Sequence, residues 1–453
     1  MFDVINPATG KTVRQIAWHD ADEIERKLAA AEQAFTTWRA LDFTARGEQL
    51  ETVAKTLRAG INRHAGLMTE EMGKPVREAR GEVEKTAKCC EHYAQNAARY
   101  LAPDTIESDA ARSWVQYLPL GTVLGILPWN SPYWLAARVF APALMAGNTV
   151  IIKHDSHVPG CALAIEAAFR EAGAPDGLLQ VLIVDNDRAM NTIRDRRIHA
   201  VSFTGSTRGG RAVASVAAGE IKPAVLELGG SDPAVVLADS DLAKAVDTLA
   251  TSRFICAGQS CIAAKRILVE ASVYEPFIKA FQKRLEALKV GDPTHAGTDI
   301  GPLARAEIRD QLHDQVTRSI KAGAKCLLGG TLPEGPGSFY PVTLLADVPL
   351  DAPAFSEETF GPVAAVRAVD DAEQALAIAN DTEYGLAASI WTTPERGEAM
   401  AARFEAGQVA INGIVKTDPR LPSGGIKCSG YGRELGPHGI HEFVNAQQVW
   451  RGN

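Results

Sequence analysis

From Gly121 onward, short apolar runs alternate with longer stretches of helical periodicity, and no other feature restricts the fold as strongly. The runs fall at 121–127, 149–153, 179–184, 200–204 and 224–228. Between them, 160–172, 187–195 and 205–218 carry apolar residues at helical spacing. A strand–helix–strand rhythm of this kind builds a doubly wound parallel sheet, because each crossover helix returns the chain to the same end of the sheet. A second alternating region follows, with helices expected at 241–254, 274–288, 304–323 and 372–380 and strands at 266–270, 326–328, 363–369 and 386–391. About 100 residues precede the first sheet: short strands within 1–19, then helical stretches near 24–35, 44–71 and 76–100. Residues 112–118 and 443–450 alternate apolar with polar and read as half-exposed strands, placed to pair between subunits.

At 453 residues, the chain is long enough for about three domains and a large core. A net charge of −8 gives no electrostatic footprint for nucleic acid. Seven cysteines without regular spacing do not form a disulfide framework, and adjacent Cys89 and Cys90 fit core packing within a helix. The N-terminus lacks a basic segment followed by an apolar one, and no apolar run reaches membrane-spanning length. A reduced, cytoplasmic protein is expected, without nucleic-acid or membrane partners.

Two thiols, Cys256 and Cys261, lie close together with Gly258 and Ser260 between them. A nucleophilic cysteine needs an activating neighbour and a backbone that lets substrate approach; the small residues supply the second. The usual Gly-x-Gly-x-x-Gly dinucleotide fingerprint is absent. The nearest string, around Gly430, Gly432 and Gly436, has the wrong spacing and no apolar strand before it, and reads as a loop. Phe203-Thr204-Gly205-Ser206 joins a strand to a helix whose free N–H groups suit a phosphate, although a plain strand-to-helix turn explains it as well.

Seven motifs then occur in order: Pro128-Trp129-Asn130, Lys153, Phe203-Thr204-Gly205-Ser206, Leu226-Glu227-Leu228-Gly229-Gly230, Gly258-Gln259-Ser260-Cys261, Glu358 to Val363, and Gly424-Gly425 to Glu434. This series strongly resembles the aldehyde dehydrogenase superfamily across essentially the whole chain. Glu227 lies 34 residues before Cys261, as that family's pattern requires. The resemblance implies an α/β protein with a Rossmann-type cofactor domain (1–110 and 124–228), an α/β catalytic domain (229–415) and a small β oligomerisation element (111–123 and 416–453) in a homodimer or homotetramer. It makes Cys261 the nucleophile, Glu227 the general base, and the Asn130 amide with the Cys261 N–H the oxyanion donors. It places Lys153 on the adenosine ribose, Ser206 on a phosphate, Glu358 on the nicotinamide ribose and Phe360 against the ring. Trp129, Gly205 and Gly229 complete the cofactor set, and no metal is implied.

Many NAD-preferring relatives carry a carboxylate three residues after this lysine. Here that position is Ser156, so NADP is expected to be accepted at least as well as NAD. The strings Lys153-His154, 226–233 and 430–443 look most like those of the bacterial succinate-semialdehyde dehydrogenases. That branch carries an Arg eight residues after the Asn, and Arg138 stands there, suited to a substrate carboxylate; a structural ion pair is the other reading. Thr417 and Ser423 are expected on the facing wall. Two departures alter the pocket: Ile255-Cys256 before Ala257-Gly258, and Ser423 where a Phe usually opens the Phe-Gly-Gly motif. An aromatic or another aliphatic aldehyde therefore stays open as substrate. A non-catalytic protein reusing the fold should have lost Cys261, Glu227 or Asn130, and all three are present.

Overall fold

The computed structural model describes residues 1–452. The first alternating region forms a six-stranded sheet in the order Gly430–Tyr431, Ala224–Glu227, Ile198–Thr204, Thr122–Leu127, Thr149–His154, Leu179–Val181. All neighbours are parallel except Gly430–Tyr431, which runs antiparallel to Ala224–Glu227. The glycine string expected as a loop thus contributes a short edge strand, its pairing made by backbone alone. Successive residues face opposite sides: Val123, Val150 and Ile152 join a core with the N-terminal helices, while Leu124, Ile126 and Ile151 join one on the other face. Burial on both faces is what requires unbroken apolar runs.

Strand order reverses between Thr122–Leu127 and Ile198–Thr204, since the chain first winds outward through Thr149–His154 and Leu179–Val181, then returns. A crevice opens at the carboxyl ends of strands at such a switch point. Trp129 and Asn130 follow one of these strands, and Gly205 and Ser206 the other.

The second region forms a seven-stranded sheet, Lys325–Leu328, Thr343–Ala346, Val363–Val369, Arg266–Glu270, Pro233–Val236, Ala387–Trp391, Gln408–Ile411, parallel apart from Lys325–Leu328. Three of these strands, Pro233–Val236, Thr343–Ala346 and Gln408–Ile411, are absent from the sequence expectation. Each has only four residues, although Ala224–Glu227 is equally short and is legible, so length alone does not account for the omission. The stretch expected as one helix at 44–71 divides into Phe43–Ala59 and Ile61–Met72, with Gly60 capping both. Arg112–Pro119 and Val444–Arg451 pair with each other within the chain over eight residue pairs, and Asp104–Ile106 adds a third antiparallel strand. Among the described residues, no helix is long and apolar enough to cross a membrane.

Candidate active site

Helix Leu242–Phe254 delivers the chain into a strained turn. Cys256 (φ 54°), Ala257 (φ 53°) and Gly258 (φ 72°) are left-handed in succession. For the two non-glycine residues this costs about 1–2 kcal/mol each, so neighbours must hold the turn in place. The Glu78 carboxylate accepts the Cys256 N–H at 2.8 Å. Buried Arg253 donates to the carbonyls of Gly258 (3.2 Å), Thr359 (3.2 Å), Gly361 (2.7 Å) and Val363. A Cβ at Gly258 would sit 2.2 Å from the Gly361 oxygen, so only glycine fits. Beyond the turn, the Lys265 ammonium donates to the carbonyls of Ser260 (3.0 Å) and Cys261 (2.6 Å). These two buried cations fix the backbone on either side of the thiol.

Cys261 is partly exposed, whereas Cys256 is buried. Burial among protein groups pushes the Cys261 thiol up to about 11 and outweighs Lys265 and Arg138, which pull it down. The thiol therefore needs a proton acceptor. Glu227, at the end of strand Ala224–Glu227, is buried, and desolvation raises its carboxyl to about 7 against the pull of Arg138. Its Oε2 accepts from Arg138 Nη2 at 2.7 Å, while Oε1 has no hydrogen-bond partner among the described residues. A Cβ at Gly424 would lie 2.8 Å from that oxygen, so the glycine keeps space around it. Asn130 donates one amide N–H to the Gln259 carbonyl at 3.0 Å and carries a second N–H. The Cys261 backbone N–H has no acceptor among the described residues.

Two cavities meet at Cys261, and Asn130 and Leu135 border both. The smaller, about 180 Å³, is lined by Trp129, Gly205, Ser206, Gly229, Glu358 and Phe360 among others. Trp129 and Phe360 pack edge to face, 5.7 Å between ring centres. Glu358 accepts the Gly230 N–H at 3.1 Å, and a Cβ at Gly229 would fall 2.4 Å from its Oε2. Ser206 caps helix Thr207–Gly219 by accepting the Gly209 N–H. Lys153 ends in a bond to Asn186 Oδ1 at 3.3 Å, and burial lowers its pKa. Ser156 is half-buried in the following turn. Its neighbour Asp155 is occupied by His157 (2.8 Å) and Arg305 (3.3 Å).

The larger cavity, about 350 Å³, runs between helix Val76–Tyr100, helix Pro132–Met145 and the 414–417 loop. Arg138 lines it, but its guanidinium is engaged by two carboxylates, Glu227 and Glu434, with Ser423 Oγ at 3.4 Å. The structural ion pair considered from sequence is therefore present. Thr417 and Trp134 join Arg138 on this wall. Ser423 pairs by backbone with Glu434 and is 1% exposed. Sequence reasoning missed Lys85, Glu78 and Glu82, which occupy one helix face at i, i+3/4 and i+7 spacing; nothing in a generic amphipathic pattern marks them as lining a site.

The sequence pattern described as the aldehyde dehydrogenase family matches residues 1–449. A probable NADP-dependent succinate-semialdehyde dehydrogenase of Synechocystis is 49% identical over 98% of both chains. An NAD(P)-dependent succinate semialdehyde dehydrogenase of Escherichia coli is 44% identical over 99% of this chain and 97% of its own. Among solved structures, the Streptococcus pyogenes succinic semialdehyde dehydrogenase in complex with NADP superposes with a TM-score of 0.97 at 35% identity over both full chains. The E. coli lactaldehyde dehydrogenase gives 0.97 at 34% identity over all of this chain and 96% of its own. With Cys261 and Asn130 where two cavities join, Glu227 buried behind their walls on Arg138 yet within electrostatic reach of the thiol, and this match over nearly its whole length, the chain belongs to the aldehyde dehydrogenase family.

Proposed function

We propose that this enzyme oxidises succinate semialdehyde to succinate with NADP or NAD. The observation that carries the chemistry is the position of Cys261 at the junction of two cavities, with a buried carboxylate of raised pKa nearby. Glu227, whose buried carboxylate lies within electrostatic reach of the thiol, accepts its proton in the step that forms the bond from sulfur to the aldehyde carbon. The second Asn130 N–H and the Cys261 N–H stabilise the oxyanion of the resulting thiohemiacetal. A nicotinamide held by Glu358 and Phe360 would supply the hydride acceptor that oxidises that carbon, after which a thioester would remain on Cys261. Glu227, having released that proton to solvent, takes a proton from the water that attacks the thioester and passes it to the departing Cys261 sulfur, so that the acid leaves and the thiol is restored. Coenzyme A transfer would not require this base.

The smaller cavity fits a dinucleotide in its makeup: a glycine, Gly229, whose Cβ would collide with Glu358, an aromatic pair, and a helix N-terminus at Ser206. Trp129, Lys153, Gly205, Ser206, Gly229, Glu358 and Phe360 hold it, and Ser156 leaves room for a 2′-phosphate without a repelling carboxylate. Residues 1–110 with 124–228 form the cofactor domain and 229–415 the catalytic domain. The remainder pairs subunits through the free edge of Val444–Arg451, where Trp450 is 49% exposed. Seven unpaired cysteines suit the reducing cytoplasm.

The test is a panel of succinate semialdehyde, butanal and benzaldehyde with each cofactor, read as kcat/KM. Succinate semialdehyde with NADP should lead. A higher value for butanal or benzaldehyde would overturn the substrate, and an enzyme inert toward NADP would overturn the cofactor reading.

A further inference from the structure

We infer that the Lys85 ammonium, together with the Thr417 hydroxyl, binds the distal carboxylate of the substrate. This deepens the succinate-semialdehyde reading and rests on it. The larger cavity contains several cations, and their charge balance distinguishes them. Arg138 faces Glu227 and Glu434, so its cluster carries no net positive charge whether Glu227 is ionised or not. Lys74 is paired with Glu82. Lys416 is exposed at the rim. Lys85 is half-buried, has no carboxylate within ion-pair distance among the described residues, and lines the same cavity as Cys261.

Its surroundings hold the ammonium without neutralising it. Lys85 Nζ donates to Thr417 Oγ1 at 2.8 Å and lies 4.0 Å from the Trp134 ring centre, in cation–π range. Trp134 Nε1 donates to the same hydroxyl at 2.9 Å. Two donors use both lone pairs of Thr417 Oγ1, which leaves its single hydrogen to be donated elsewhere. An ammonium and a hydroxyl proton side by side are donors in search of an anion, and a carboxylate has two oxygens to accept them. Burial, with Arg138 adding repulsion, brings Lys85 down to about 8, and the more distant carboxylates of Glu82 and Asp418 offset this only in part. An uncharged aldehyde would leave that deficit in place.

The experiment measures kcat and KM for succinate semialdehyde and butanal in wild type, Lys85→Met, Lys85→Arg and Lys88→Met, the last an exposed position on the same helix. Lys85→Met should lower the succinate semialdehyde to butanal ratio of kcat/KM at least 30-fold, mainly by raising KM for the acid-bearing aldehyde. Lys85→Arg should recover much of the ratio, and Lys88→Met should leave it at the wild-type value. If wild type favours succinate semialdehyde and Lys85→Met keeps the ratio, Lys85 is not the carboxylate site, although the substrate reading stands. If wild type itself shows no preference for the acid-bearing aldehyde, the substrate reading fails and this inference with it.

Discussion

The two cavities that meet at Cys261 are built differently. The smaller is made largely from strand ends, glycines and the start of a helix, so its shape follows from the parallel sheet and its switch point. The larger takes its walls from an N-terminal helix, a wholly buried helix and a loop far along the chain, and its character lies in side-chain charge. One side can be kept by any sequence that keeps the fold and a few small residues. The other depends on the side chains that a few helix positions present. Reaction type and substrate choice are therefore separable in this molecule.

The largest effect should come where the cavities join. Cys261→Ser should reduce turnover by on the order of 10³-fold or more with every aldehyde, since a hydroxyl is far less nucleophilic near neutral pH. Cys256→Ala should retain most of the activity, its thiol being buried and pushed up to about 12. Steady-state rates for the two variants decide it, and the reverse ranking would move the nucleophile to Cys256.

Arg138→Leu comes next and bears on the boundary between the two sides. It strands Glu227 and Glu434 together in a buried site, at a cost of about 3–5 kcal/mol in stability. The melting temperature should fall, and kcat/KM should drop by similar factors for succinate semialdehyde and butanal. A loss confined to the acid-bearing aldehyde would instead put Arg138 on the substrate, as the sequence resemblance implies.

Glu227 makes a pH prediction. As a base it works deprotonated, and its pKa is raised to about 7. Where hydrolysis limits, kcat should rise as pH passes upward through about 7 and be lost below it. In Glu227→Gln that limb should be absent from the kcat profile. A limb that persists unchanged would belong to another group.

The smallest effect lies wholly on the cofactor side. Ser156→Glu should shift preference from NADP toward NAD, by about 1–4 kcal/mol if the carboxylate comes within ~4 Å of the phosphate. Comparing kcat/KM for the two cofactors checks this, and an unchanged ratio would remove Ser156 from the 2′-phosphate site.

The same contrast explains what the sequence disclosed. Thr122–Leu127 and Thr149–His154 are buried at every position, so they stood out as apolar runs. Cys261, Glu227 and Asn130 stood out because chemistry restricts their identity and the loops restrict their spacing. Pro233–Val236 and Gln408–Ile411 did not: one opens on a proline and the other on a glutamine, and their pairing is fixed only in the assembled sheet. Lys85 is one of two lysines on a polar helix, and only tertiary placement separates it from Lys88 three residues later. Arg138 was visible as a cation on an apolar helix, but its two carboxylate partners lie 89 residues away in Glu227 and still farther away in Glu434.

The division of labour between Cys261 and Glu227 is tested most directly by mixing Glu227→Gln with succinate semialdehyde and NADP and following both reduced cofactor and the mass of the protein. Slow attack followed by blocked hydrolysis predicts about one reduced cofactor per site and a succinyl thioester that accumulates on the peptide carrying Cys261. Continuous turnover with no adduct, or an adduct on Cys256, would contradict it.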